Sequence, residues 1–244
     1  MICQLKIQDK TISYSLKYNK KKKRCSISLL VNIFGQLKVT AHPSMEKSQI
    51  NELIIKQASW IDKNVSQRTL LLKDKKVITY EPGDNFYYLG KKYYLEIIDR
   101  PQKNIQVILT ESSLRICAPE RLSRENKIRH IEKWYRQQAL FYFSERLDRL
   151  CLITPWVTKK PLLKVRRMKR QWGNFYSNGI VTLNIHLIKL PTYLIDYVIL
   201  HELCHFQEHN HSRRFYQLLQ DVVPNWKQYQ KEIKEYVYHF YELS

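Results

Sequence analysis

Residues 197–215 constrain the fold of this chain more than any other stretch, because they combine helical spacing with metal-binding side chains. They include His201, Glu202, His205 and His211. Positions four apart lie on one face of an α-helix, so His201 and His205 can direct ring nitrogens at one metal ion. Glu202 lies to one side, where it can accept a proton from a metal-bound water. This spacing is the H-E-x-x-H pattern of zinc hydrolases.

The helix that carries the pattern is predicted to begin near Pro191, since proline suits a first helical turn. Apolar residues occupy most of its circumference, which predicts a buried or half-buried element. They are Leu194, Ile195, Val198, Ile199, Leu203 and Phe206. Histidine and glutamate in such a helix need partners, and a zinc ion supplies one. Cys204 is predicted to be a core residue rather than a ligand.

A catalytic zinc ion usually has three protein ligands and one open position for water. The third ligand can be sought at His209, at His211, or at an acidic residue of the last helix, Glu232 or Glu235. We prefer His211, and we expect His209 to face solvent.

The choice of His211 requires the chain to reverse, because a continuing helix would carry residue 211 away from the ion. The helix must therefore end after His205. Asn210 is one of the few non-glycine residues that tolerates a left-handed backbone, so we expect the reversal there. Ser212 is predicted to cap the helix that follows.

Composition bounds the class of protein. The chain has 244 residues and a formal net charge of +20. This charge favours anionic partners such as nucleic acid or nucleotides, but it is equally consistent with a charged surface that only keeps the protein in solution. Its five cysteines form no C-x-x-C pair and are predicted to be reduced core residues. Neither a signal peptide nor a membrane span is recognised, so a cytoplasmic location is expected.

The pattern along the chain predicts an α+β fold. Alternating residues predict strands at 11–17, 25–31 and 36–41, followed by a helix from Ser44 to about residue 61 and a charged connection over 66–76. A second set of strands is expected at 85–89, 92–98, 105–109 and 114–118. A long helix then runs from Ser123 to about residue 151, and strands follow at 162–166 and 180–183, with a turn at 177–179 between them.

The C-terminal motifs resemble those of the bacterial YgjP-like metal-dependent hydrolases (DUF45), relatives of the SprT-like and WLM zinc peptidases. The matching residues run through Gln171-Trp172-Gly173, Asn178-Gly179, Leu183-Asn184, Leu190-Pro191 and Asp196-Tyr197-Val198 to His201-Glu202-Leu203-Cys204-His205 and Asn210-His211-Ser212, with Phe215 after them. The resemblance implies one catalytic Zn²⁺ held by His201, His205 and His211, with Glu202 as the catalytic residue. It also implies a zincin-like, mainly helical domain with a small sheet over 121–244, beside a β-rich region with one helix over 1–120.

One position departs from the family pattern. The family commonly continues Trp-Gly with Ser-Cys, whereas Trp172-Gly173 is followed here by Asn174-Phe175. Metzincins place a glycine within the reversal, and Glu208 at that position argues against membership of that group.

The sequence therefore predicts a zinc-dependent hydrolase, most simply a metallopeptidase that uses Glu202 to activate a zinc-bound water. Two alternatives remain open: a metal-dependent nucleotide pyrophosphatase, and an SprT-like protein associated with nucleic acid. Asn184, Tyr176 and His186 are the candidate substrate contacts. The strand at 180–183 is expected to dock an extended peptide by strand addition.

Overall fold

The computed structural model describes residues 2–7, 10–32, 35–73, 78–100, 104–119, 122–168 and 171–240. The chain divides into two compact units, Met1–Lys76 and Val77–Ser244. The boundary expected at residue 120 lies well inside the second unit, because the second set of strands shares a hydrophobic core with the long helix and the C-terminal helices. Within the described residues the α+β prediction is confirmed.

In its described residues, the first unit is a four-stranded sheet with two helices. The sheet has the order β1-β2-β4-β3. Its strands are β1 (Ile2–Ile7), β2 (Lys10–Tyr18), β3 (Ile27–Val31) and β4 (Leu37–Ala41). Alternation along the strands directs Tyr14, Leu16, Val39 and other apolar side chains into one core with residues of the helices.

The helical part of the first unit differs from the expectation of a single helix. Helix α1 (Lys47–Lys56) begins after Glu46, whose N–H donates to the Gln49 side chain, so Ser44 is not the cap. Gln57 separates α1 from α2 (Ala58–Lys73). The second helix therefore occupies most of the stretch that the charge pattern had predicted to be a connection.

The described part of the second unit contains two small mixed sheets. One has the order β5-β6-β8-β7 and the other the order β10-β11-β9. The strands are β5 (Asn85–Tyr88), β6 (Lys91–Asp99), β7 (Gln106–Leu109), β8 (Ser113–Ala118), β9 (Leu162–Arg166), β10 (Gly173–Tyr176) and β11 (Ile180–Asn184). Strand β10 was not predicted. The turn at 177–179 connects it to β11, so the turn was placed correctly but assigned to the wrong pair of strands.

The described helices of the second unit pack around a buried core. They are α3 (Arg124–Cys151), a 3-10 helix (Ile185–Lys189), α4 (Thr192–Cys204), α5 (Arg213–Val222) and α6 (Trp226–Phe240). Ser123 caps α3 by accepting a hydrogen bond from the Asn126 N–H at 3.3 Å, as predicted. None of the helices in the described ranges is long and apolar enough to cross a bilayer.

Two contacts fix where α4 begins. The β5–β6 turn has left-handed backbone at Leu89 and Gly90, and its N–H groups donate to the carbonyls of residues 188 and 189. A Cβ on Gly90 would lie 2.7 Å from Pro191 Cγ, so only glycine permits this approach. On the other side, Arg146 of α3 forms two 2.7 Å hydrogen bonds to Asp196. Helix α4 is therefore held by contacts of the β5–β6 turn just before it and by the Arg146–Asp196 pair with α3.

Candidate metal centre

Helix α4 presents the first two histidines from one face. Its N-terminal turn follows Pro191, and nine of its residues, including Cys204, are buried. His205 lies at the C-cap with helical backbone angles, so the spacing of four from His201 is preserved. The prediction that Cys204 belongs to the core is confirmed, whereas Cys25 in the first unit is exposed.

The chain reverses after His205 by tight turns. The N–H groups of Phe206, Gln207 and Glu208 donate to the Leu203 and Cys204 carbonyls. The Ser212 N–H then donates to the Asn210 carbonyl at 2.7 Å, which closes a three-residue turn centred on His211. The reversal lies where it was expected, but Asn210 is not left-handed. Among the described non-glycine residues, positive φ angles occur at Tyr80 and Leu89.

Helix α5 anchors the far side of this turn. Its cap is Ser212, whose hydroxyl accepts a 3.2 Å hydrogen bond from the Phe215 N–H, as predicted. The same hydroxyl donates to the Glu208 carboxylate at 3.2 Å, and that carboxylate also pairs with Arg214. These bonds fix the backbone on both sides of His211.

The three histidines converge. One ring nitrogen from each of His201, His205 and His211 lies within 4.8 Å of the other two. The His201 and His211 Nε2 atoms are 3.0 Å apart. Zinc–nitrogen bonds of about 2.0–2.1 Å in a tetrahedral site place ligand atoms roughly 3.4 Å apart, so the donor set suits that ion. Among the described residues this cluster includes none of the alternative third ligands.

The remaining ring nitrogen of His205 is committed to the backbone. Its Nδ1 lies 2.9 Å from the Glu208 carbonyl oxygen. A carbonyl oxygen only accepts, so Nδ1 carries the proton and Nε2 is left with a lone pair. This bond orients the ring toward the cluster.

Burial favours the neutral imidazoles that a metal ion requires. It lowers the pKa of His201 to about 3, with further lowering from His205 and His211. Burial also lowers the pKa of His205, and the hydrogen bond to the Glu208 carbonyl opposes this shift. Neutral imidazole is the ligating form of histidine, so the triad is suited to bind a cation.

Phe215 lies against all three imidazoles. Its ring centroid is 4.9 Å from that of His201, 4.6 Å from that of His205 and 4.7 Å from that of His211. Phe215 is fully buried. The sequence motif included this residue without a role, and the structure places it as the apolar support of the triad.

Glu202 is the buried carboxyl group beside the triad. It is 5% exposed, and this burial raises its pKa to about 8, while the N–H of Phe175 in β10 donates to it and opposes the shift. A cation bound at the histidines would favour the ionised form. Glu202 is therefore a desolvated carboxyl group on the same helix as His201 and His205.

Gly173 is a site residue for which sequence reasoning predicted no role. A Cβ at this position would lie 2.5 Å from Glu202 Oε1 and 2.7 Å from its Cγ. Only glycine therefore lets β10 pass this close to the carboxylate. The Trp172-Gly173 pair within the family motif was the available signal.

The three predicted substrate contacts lie in different surroundings. The side-chain amide of Asn184 donates to the Met168 and Gln171 carbonyls and accepts from the N–H groups of Met168 and His186, so its hydrogen-bonding capacity is used within the fold. His186 is half-buried, and burial lowers its pKa to about 3. Tyr176 is 42% exposed at the end of β10.

The expectation that residues 180–183 dock a peptide is wrong. Strand β11 is the central strand of its sheet and pairs with β10 on one side and β9 on the other. Among the described strands, β10 forms the edge of this sheet on the side of α4. A strand with both neighbours in place has no backbone groups free for an added peptide.

The convergence of three histidines beside a buried carboxylate, in a mixed α+β unit, is the arrangement expected of a metallohydrolase. A family model described as "YgjP-like, metallopeptidase domain" matches residues 25–236. The chain belongs to this YgjP-like family, which confirms the resemblance drawn from the motifs. The family description favours a peptidase over a nucleotide hydrolase and gives no support to a nucleic-acid partner.

Two solved structures resemble part of the chain. One is the metallopeptidase zymogen of Pyrococcus abyssi abylysin, at 21% identity and a TM-score of 0.35 over 37% of this chain and 90% of that chain. The other is the metallopeptidase zymogen of Methanocaldococcus jannaschii jannalysin, at 19% identity and a TM-score of 0.36 over 39% of this chain and 96% of that chain. A search of curated proteins finds no match.

Proposed function

We propose that this chain is a zinc metallopeptidase whose ion is held by His201, His205 and His211. The observation that carries the proposal is the convergence of three imidazoles, with one ring nitrogen from each within 4.8 Å of the others, beside a buried glutamate. A zinc ion held by these three imidazoles would have a further coordination position for water, whose pKa it would lower, and it would polarise a carbonyl oxygen.

Glu202 is the proposed general base. Its carboxylate accepts a proton from the attacking water and returns it to the leaving amine. The Phe175 N–H holds one side of the carboxylate, and the absence of a side chain at Gly173 leaves room for it. These contacts fix the direction in which the carboxylate faces.

The substrate is proposed to be an extended peptide that adds to the edge of β10. Main-chain hydrogen bonds along that edge would align the peptide beside α4. Tyr176 is the predicted contact that is best placed to touch it, because its ring is exposed at the end of this strand. Asn184 is proposed to act indirectly by holding Met168 and Gln171, and His186 stays a candidate contact.

The catalytic proposal is tested with Glu202→Gln. This variant should keep one zinc per chain by elemental analysis and keep the wild-type melting temperature, because glutamine has the same shape. Its turnover of a quenched-fluorescence peptide library should fall by at least about 100-fold, which is the usual contribution of a general base. Unchanged turnover would show that Glu202 does not move the proton.

The ligand set is tested with a matched pair of histidine variants. His211→Ala should lose most of the bound zinc, whereas His209→Ala should retain it, because His209 is exposed and lies outside the cluster. Equal zinc loss in both variants would contradict the assignment of His211. Hydrolysis of nucleoside triphosphates but not of peptides by the zinc-loaded wild type would replace the peptidase proposal with the nucleotide alternative.

A further inference from the structure

The first unit carries an apolar groove of about 460 Å³ between its sheet and its helices. Ile27 and Leu29 of β3 line one side, and Leu53, Lys56 and Trp60 line the other. Trp60 is 43% exposed although it is a large aromatic residue. The groove therefore offers an accessible apolar surface within Met1–Lys76.

Strand β3 is an edge of its sheet and pairs with β4 among the described strands. The Asn32 N–H donates to the Gln36 carbonyl at 2.9 Å, which makes residues 32 and 36 a hydrogen-bonded pair. Hydrogen-bonded pairs alternate along an antiparallel ladder, so Ser28 and Leu30 direct their peptide groups toward β4. Ile27 and Leu29 direct theirs toward the open edge.

The open edge and the groove are formed by the same residues. Ile27 and Leu29 offer peptide groups along the edge and side chains that line the groove. An added strand could form backbone hydrogen bonds with them while alternate side chains enter the groove. The sequence of β3 (Ile-Ser-Leu-Leu-Val) contains neither the lysine nor the proline that commonly protects an edge strand from such pairing.

Charge decides which occupant suits this surface. The loop just before the groove carries the run Lys20, Lys21, Lys22, Lys23 and Arg24. The unit Met1–Lys76 has 16 Lys and Arg residues against 5 Asp and Glu residues, which leaves a net charge of +11. A second copy of the chain would bring the same charge and be repelled. Nucleic acid would suit the charge but not the apolar lining.

We propose that β3 and this groove dock an extended acidic segment of another protein. The segment adds as a strand along β3, places a large apolar residue in the groove, and pairs flanking Asp and Glu residues with the basic loop. This binding does not depend on the proposed peptidase activity.

The test measures fluorescence anisotropy of a labelled peptide, Glu-Asp-Val-Phe-Val-Asp-Glu. The full-length chain carries Glu202→Gln, so that turnover cannot remove the probe. Saturable binding below about 1 mM is expected. A probe with lysines in place of its acidic residues should not bind, and a probe with prolines in place of both valines should bind about tenfold more weakly, because proline cannot donate to the ladder.

Two matched pairs of protein variants locate the site. Leu29→Glu should weaken binding about tenfold, whereas Leu30→Glu should change it less than about twofold, because Leu30 lies on the opposite face and is 57% exposed. Lys56→Glu should weaken binding severalfold, whereas Lys63→Glu, which lies on α2 away from the groove lining, should not. Circular dichroism confirms that each variant is folded.

Several outcomes would overturn the proposal. These are absence of saturable binding, equal binding of the lysine probe, and equal effects of Leu29→Glu and Leu30→Glu. Competition by a short oligonucleotide that is unaffected by Leu29→Glu would assign the basic loop to nucleic acid. A dimer in light scattering that Leu29→Glu dissociates would assign the groove to a second copy of the chain.

Discussion

Gly173→Ala should uncouple catalysis from metal binding. The new methyl group would lie 2.5 Å from Glu202 Oε1, 2.7 Å from its Cγ and 2.8 Å from its Cδ. Comfortable contacts between carbon atoms are about 3.5–4.0 Å, so the overlap is roughly 1 Å. Glu202 is buried and cannot swing into solvent, so either its carboxylate or β10 must move.

The magnitude follows from two opposing effects on the free energy of unfolding. Replacing a strand glycine by alanine normally stabilises by roughly 0.5–1 kcal/mol, because the unfolded chain loses freedom. Overpacking a filled site costs about 1–3 kcal/mol. We therefore expect a net loss of about 1–2 kcal/mol, opposite in sign to the ordinary effect. A displacement of about 1 Å at Glu202 should lower kcat about 100-fold.

The assay compares wild type, Gly173→Ala and Asn174→Ala by urea unfolding, zinc content and peptide turnover. Asn174 is the next residue of the same edge strand and points to the opposite face, so its variant controls for changes in β10 itself. Zinc content should be unchanged in all three proteins, because the three atoms nearest to a Cβ at Gly173 all belong to Glu202 and none to a histidine.

A second background decides whether the contact is the cause. Glu202→Asp shortens the side chain by one methylene and withdraws it from Gly173. In that background Gly173→Ala should lower the free energy of unfolding by less than about 0.5 kcal/mol. The difference from its effect in the wild type would be a coupling energy of at least about 0.5 kcal/mol. The same loss of stability in both backgrounds would refute the reasoning.

Three further outcomes are expected. Arg146→Met should lower the free energy of unfolding, measured in urea, by about 1–3 kcal/mol. This is less than for a fully buried ion pair, because the Arg146 and Asp196 side chains are 19% and 20% exposed. Replacing both residues by Met should restore part of the loss. Phe215→Ala should lower the free energy of unfolding by about 3–5 kcal/mol. It should also weaken zinc binding about 10-fold in a chelator competition, because it removes the support of all three imidazoles. Normal zinc affinity would contradict that role. Removal of zinc should lower the melting temperature. Adding zinc at 1,000 times its Kd should restore it, because binding then stabilises the folded state by about 4 kcal/mol. An unchanged melting temperature would argue against a bound ion.

Local periodicity was sufficient to predict most of the helices and strands. The spacing of His201 and His205 depends only on helical geometry, so it could be derived without the fold. The cap at Ser123 was equally local, and the burial of Cys204 was predicted from the apolar residues beside it on the helix. Strand β10 was missed because four residues with a glycine at one end give little alternation to recognise.

The reversal that carries His211 was predicted for the right place but not with the right backbone. The need for a reversal follows from geometry, and Ser212 caps α5 as expected. Asn210 was given a left-handed conformation because asparagine tolerates it. The chain instead turns through successive short-range hydrogen bonds, which several residue types can form.

The sequence by itself determined the residue types and helical spacing of the candidate site, because histidines four apart on a helix are a local matter. Only the tertiary structure decided that β10 passes Glu202 at Gly173, that Phe215 supports the triad, and that β3 is an edge among the described strands. It also placed the second set of strands in the same unit as α3 and α4. These features depend on contacts between residues distant in sequence, which no local pattern encodes.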